Sequence, residues 1–149
     1  IVDAFLGNFD RHGSNWGFIK KENRYRIAPV FDNGSCLFPQ LNTDEKLDAV
    51  MSSSDEMDKR VFTFPTSQVK LDGRKSSYYE VISSLRFEEC NRALIRITER
   101  MQWHKVDRLI NETPFISVKR KEFYGQILKA RYDKILRSAC DALTKYKEV

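Results

Sequence analysis

GNFDRHGSNWGF, residues 7–18, places an aspartate, an arginine, a histidine and an asparagine between Asp10 and Asn15, with glycines and apolar residues on either side. Just upstream, IVDAFL sets Ile1, Val2, Phe5 and Leu6 on a helical face that Gly7 closes, which predicts the last turns of a helix. The polar cluster therefore belongs to a loop. Downstream, the apolar runs NWGFIK and YRIAPVF are joined by the polar KENR, a pattern that predicts a β-hairpin ending at Asp32, with Asn33-Gly34 as the turn after it. Asp, Asn and His are also common in purely structural turns, where their side chains bind their own backbone. The spacing argues for chemistry. Phosphoryl transfer from ATP needs a carboxylate to orient and deprotonate the acceptor hydroxyl, and an amide oxygen with a second carboxylate to hold magnesium against the phosphates. Asp10, Asn15 and Asp32 supply that set, all hard oxygens. Zinc is disfavoured, because only His12 and His104 offer imidazole and no cysteine stands at a ligand spacing.

At 149 residues and 41% hydrophobic content the chain has the size of one domain with one core, and residues 1–149 read as a single domain without repeat or linker. No apolar run reaches membrane-spanning length, and IVDAFLGNFD lacks the basic start of a signal peptide. The cysteines, Cys36, Cys90 and Cys140, are odd in number and far apart, which suggests buried thiols in a reducing, cytoplasmic compartment. A secreted effector role stays open. The chain starts at Ile1, without methionine and only a few residues before the cluster, and is read as a fragment or a mature piece.

From Ser35 to about Gly73 the pattern is irregular, which predicts a loop-rich insertion with one short helix over TDEKLDAVM; KLDGRK within it reads as a turn. Ser52 to Ser54, beside Asp55 and Glu56, read as a solvated loop, open to phosphorylation that Lys59 or Arg60 would pair. After Gly73 the period becomes helical. Tyr78, Ile82 and Leu85 mark one helix, Cys90, Leu94, Ile97 and Met101 a second, and WHKVDRLINET a third that Pro114 stops. From Ser117, a plausible N-cap, Tyr124, Leu128, Tyr132, Ile135, Ala139, Ala142 and Tyr146 form a long apolar stripe. The fold class is α+β, mainly α: a hairpin carrying the metal-binding aspartate, over a helical bundle. Lys119, Arg120, Lys121, Lys129, Arg131, Lys134 and Arg137 contribute to the net charge of +5 and read as a solvated helix face. Nucleic-acid binding is disfavoured, since the aromatics among those cations share the apolar stripe. Trp16 and Trp103 read as core or rim residues.

DRHGSN has the spacing of a kinase catalytic loop, and Asp32-Asn33-Gly34 stands where D-x-G carries the metal-binding aspartate. LGNFDRHGSNWGF followed by APVFDNGS most resembles the HipA-like serine/threonine kinases, the CtkA-type bacterial kinases among them, whose fold is shared with protein and phosphoinositide kinases. The likeness extends more loosely through FPTSQVKLDGRKSSYYEVI and the helical remainder. It implies a kinase C-lobe using ATP and Mg2+ on a protein substrate with a serine or threonine hydroxyl. Asp10 would be catalytic; Asn15 and Asp32 would bind magnesium and, with His12, the nucleotide. His12 is equally readable as a structural loop histidine, and Arg11 as a phosphate contact or as an anchor on a carboxylate. Asn33 replaces the phenylalanine of DFG. The glycine-rich cover and strand lysine of an N-lobe are absent from these residues, so the resemblance implies that the lobe is supplied in cis or in trans and that the fragment alone is weak or inactive. The alternatives are a non-catalytic regulatory or complementing module, and a lipid kinase of the phosphoinositide type.

Overall fold

The computed structural model describes residues 1–147. Helix α1, Val2–Leu6, ends at Gly7, whose φ of 65° is the left-handed cap expected of a glycine there. The cluster follows as a loop containing one 3-10 turn, Gly13–Asn15. Strands β1, Phe18–Lys21, and β2, Arg24–Ile27, pair antiparallel with Lys21 opposite Arg24. Glu22 and Asn23, at φ 49° and 61°, make the two-residue turn with both central residues left-handed, whose twist matches the strands. The hairpin stops earlier than the apolar run suggests. Ala28 donates the last cross-strand bond, to Gly17, and the Asn15 carbonyl, which stands opposite Val30 in this register, accepts from Arg11 Nη1 instead, so Asp32 lies in a loop beyond Ile27 and not at the end of a strand. Both faces of this hairpin are exposed.

The supposed insertion is largely ordered. Helix α2, Asp44–Met51, lies where one helix was expected, capped by Thr43. Helix α3, Ser54–Asp58, then runs into a π-helical turn, Lys59–Thr63, where a solvated loop was expected. The side chain of Ser53 accepts from the Glu56 N–H, and Lys59 and Arg60 both pair with Glu56, so the serine run starts a helix whose cations are already engaged. Strands β3, Thr66–Leu71, and β4, Arg74–Ser77, form a second hairpin around Asp72-Gly73. The turn in KLDGRK is real, at φ 50° and 76°, and the strands on either side of it are an addition to the expected outline.

The helical half follows its periodicity. Helix α4, Tyr78–Ser83, opens on a capping box between Ser77 and Glu80; α5 is Glu88–Arg100; α6, Trp103–Glu112, ends just before Pro114. Ser117 caps α7, Val118–Arg131, which continues through a π-helical stretch, Tyr132–Arg137, into α8, Ser138–Lys147. Leu94, Phe123, Ile127, Ile135 and Leu136 are fully buried, with Leu128, Tyr132 and Ala139 nearly so. Tyr146, at the end of the stripe, has a side chain outside those described. Helices α1, α2 and α6 pack on α7, while α5 packs on α8. The aromatics among the basic residues serve this core: Tyr132 lies edge-on to Trp103 at 5.2 Å and Phe123 edge-on to Phe38. Arg131 departs from the solvated-face reading, being 1% exposed. Trp16, at 54%, is neither core nor rim but open surface.

Candidate active site

Two buried supports set the loop. Asn8, fully buried beyond Gly7, donates from Nδ2 to Asp3 Oδ1 at 2.9 Å and accepts the Asp10 N–H on Oδ1 at 3.0 Å, while its carbonyl receives the Tyr78 hydroxyl at 2.9 Å. Burial pushes the Tyr78 phenol well above its ordinary range, so the hydroxyl remains a donor. From beneath, Arg131 donates Nε to the Ala4 carbonyl at 2.7 Å. A β-carbon at Gly7 would come within 2.9 Å of the Phe38 ring, so the close approach of loop to core also requires the glycine.

Asn15 is 5% exposed and donates Nδ2 to the Asp10 carbonyl at 2.9 Å. That bond fixes the amide and leaves Oδ1 as the free oxygen. His12 accepts the Ser14 N–H on Nδ1 at 3.2 Å, which caps the 3-10 turn, and sets Nε2 4.0 Å from Asp10 Oδ2. The ring thus does the structural task and faces the Asp10 carboxylate. Asp10 and Asp32 are both exposed, and Asp32 adopts a left-handed φ of 53°, a conformation that Asp tolerates better than most residues.

Arg11 ties these parts together. Its Nε and Nη2 form a fork on Asp3 at 3.0–3.1 Å, Nη1 reaches the carbonyls of Asn15 and Phe31 at 2.6 Å each, and Nη2 reaches Asn33 Oδ1 at 2.9 Å. Of its two readings the anchor is the one observed, on Asp3. The hydrogen bonds to Asp3 raise the guanidinium above its ordinary value, so it stays charged. It holds both neighbours of Asp32 against the loop that carries Asp10 and Asn15.

The donor set fits a magnesium-nucleotide site. Asp10, Asp32 and the Asn15 amide offer hard oxygens, and neither carboxylate has a lysine or arginine partner among the described residues. No cluster of three His, Cys, Asp or Glu side chains that could hold a metal ion is present among the described residues. An open pair of carboxylates with one amide is instead what a magnesium ion shared with phosphates uses.

No family model matches the sequence. The chain is 42% identical over 139 residues to serine/threonine-protein kinase CtkA of Helicobacter pylori strain J99, across 91% of this chain and 42% of that protein. Its structure matches the crystal structure of a Helicobacter pylori proinflammatory kinase CtkA with a TM-score of 0.87 and 40% identity, covering 96% of this chain and 50% of that one. In sequence and in fold this chain resembles CtkA over most of its own length. It spans at most half the length of these relatives. The mainly helical α+β, kinase-like architecture expected from the sequence is the one observed. Asp3, Asn8, Tyr78 and Arg131 are the site's supports that sequence reasoning missed. Asp3 carried a visible signal as an acid at the start of an otherwise apolar helix, and the helical period marked Tyr78 as a core position without showing what its hydroxyl holds; Asn8 and Arg131 are polar residues whose burial no periodicity reveals.

Proposed function

We propose that this chain is the catalytic lobe of an ATP- and magnesium-dependent serine/threonine protein kinase of the HipA-like type. The observation that carries the reading is the Arg11 clamp, which gathers Asp10, Asn15 and the Asp32 loop in a chain 42% identical to a named serine/threonine kinase. Asp10, exposed and held by its own N–H on Asn8, is the group that orients the acceptor hydroxyl and takes its proton. Asn15 Oδ1 and the Asp32 carboxylate are the metal ligands, and His12 borders the nucleotide beside Asp10. Magnesium at such a site neutralises charge on the phosphates.

The hairpin supports a further lobe. Trp16, Phe18, Ile27, Val30 and Phe31 are 43–72% exposed, and the chain matches only 42–50% of its relatives. A lobe supplied in cis or in trans covers this apolar surface and completes the phosphate contacts, so the isolated residues 1–149 transfer phosphate weakly or not at all. Three free thiols accord with a reducing, cytoplasmic setting, and no helix among the described residues is long and apolar enough to cross a membrane.

Radiolabelled ATP with a serine- and threonine-bearing protein acceptor tests the reading in the full-length protein. Transfer to serine or threonine is expected, with Asp10→Asn abolishing it while circular dichroism stays unchanged and Asp32→Ala abolishing productive Mg-ATP binding. Transfer indifferent to Asp10→Asn would refute the assignment.

A further inference from the structure

We propose that Arg11 is the positioning residue of this site and that Asn33 is the catch through which it holds the Asp32 loop. The purpose of the positioning rests on the kinase reading above; the positioning itself rests on geometry. After Ala28 the chain leaves the β2 ladder, and from Pro29 to Asn33 no backbone N–H of the described residues bonds to the body of the protein. The turn that follows bonds within itself, from Cys36 N–H to the Asn33 carbonyl. Attachment resumes beyond that turn, with a long bond from the Phe9 N–H to the Ser35 carbonyl at 3.4 Å and a firmer one from the Leu37 N–H to the Leu6 carbonyl at 2.9 Å. From Pro29 to Asn33 the described hydrogen bonds tying the segment to the rest are the two that Arg11 donates, to Phe31 O and to Asn33 Oδ1. Asp32 sits between them in a left-handed conformation, which Asp tolerates better than most residues, and the bonds that flank it are what hold the segment.

Arg11 is suited to provide it. The fork on Asp3, itself fixed by Asn8, locks the guanidinium plane before the loop arrives, and the remaining N–H groups point at three acceptors in two segments. An ammonium is a point charge with three donors and cannot reproduce that planar fan. Where the motif elsewhere has a phenylalanine to pack, this chain has an amide oxygen to be held. The metal carboxylate is thus set by a polar catch and not by apolar packing.

Hydrogen exchange on the full-length protein, free of magnesium and nucleotide, reads the catch without relying on activity. Asn33→Ala is expected to raise exchange about tenfold in peptides spanning residues 28–36, equivalent to about 1.4 kcal/mol, with peptides from α1 and α7 unchanged. Asn33→Asp keeps an acceptor oxygen and keeps the protection. Arg11→Gln loosens the same peptides, and adding Asn33→Ala to it has no further effect; if Arg11→Gln does not fold, the two Asn33 variants decide. In phosphate transfer, Asn33→Ala raises the half-saturating magnesium concentration about tenfold and leaves kcat at saturating magnesium within twofold. Unchanged exchange in Asn33→Ala, or a rise spread evenly over the protein, overturns the proposal. Loosened peptides in a protein that transfers no phosphate support the catch while removing the kinase reading; active protein with an unaltered 28–36 segment does the reverse.

Discussion

Replacing Arg131 by methionine sets two large effects against each other. The guanidinium is 1% exposed with no carboxylate partner among the described residues; it donates to the carbonyls of Ala4 and Arg60, with Phe64 O at the 3.5 Å limit, and lies over the Phe38 ring at 6.0 Å. Its Nη2 has no partner among the described residues. Burial lowers it to about 10, which marks the charged form as held at a cost of about 3 kcal/mol, recovered when the charge is removed. The opposing loss is two buried carbonyls left unpaired, about 1–3 kcal/mol each, and a desolvated cation–π contact of about 2 kcal/mol. Buried ion pairs are often replaced by apolar residues without loss, because both partners are removed together. Here the acceptors are main chain and stay. The balance favours arginine by about 3 kcal/mol, so Arg131→Met should lower the urea midpoint at pH 7 without changing the m-value. An unchanged or raised midpoint would mean that the carbonyls find other donors and that the charge desolvation dominates.

Gly7→Ala combines a left-handed backbone at φ 65° with a β-carbon 2.9 Å from a fully buried ring, and should cost about 2–3 kcal/mol in the same melts; a neutral result would mean that Phe38 yields. For pH dependence, burial pushes the Cys36 thiol from 9.0 up to about 11. The native state then keeps a proton that the unfolded chain releases, so this group lowers stability as pH rises from 9 to 11. Cys36→Ser should gain on the parent protein across that window and run parallel to it below pH 8; parallel curves throughout would remove the effect.

Legibility followed the kind of signal each feature leaves. The 3.6 period over Cys90 to Met101 and the Ser117 cap name their helices because burial on one face and an orphan N–H at the end are both written in local spacing. The β1–β2 hairpin was readable from two apolar runs joined by the polar KENR, yet its end was not, because the apolar run continues to Phe31 while the ladder stops at Ala28. Helix α3 carried its signal in the Ser53 to Glu56 spacing, hidden by the polarity of the surrounding serines. Asp10, Asn15 and Asp32 stand out in the sequence by residue type and spacing, and Arg11 ties their two segments together. Arg131 does not stand out: on a helix with many exposed cations, only the tertiary position of α1 and Phe38 distinguishes the one that turns inward.

The supports explain why a helical half of this size accompanies so short a loop. Asp10 and Asp32 are both exposed, and a loop held only by its own turns would leave the two segments free to move apart. Beside the loop's own bonds, three tethers come from outside it: Tyr78 from α4 to Asn8, Arg131 from α7 to the end of α1, Asp3 from α1 through Arg11 to the Asp32 segment. Three helices thus fix oxygens in place before any ligand arrives, which is the condition under which fixed charges act on a reaction without reorganising during it. On this argument the loop's geometry should be sensitive to core substitutions far from Asp10, through the packing of α1, α4 and α7.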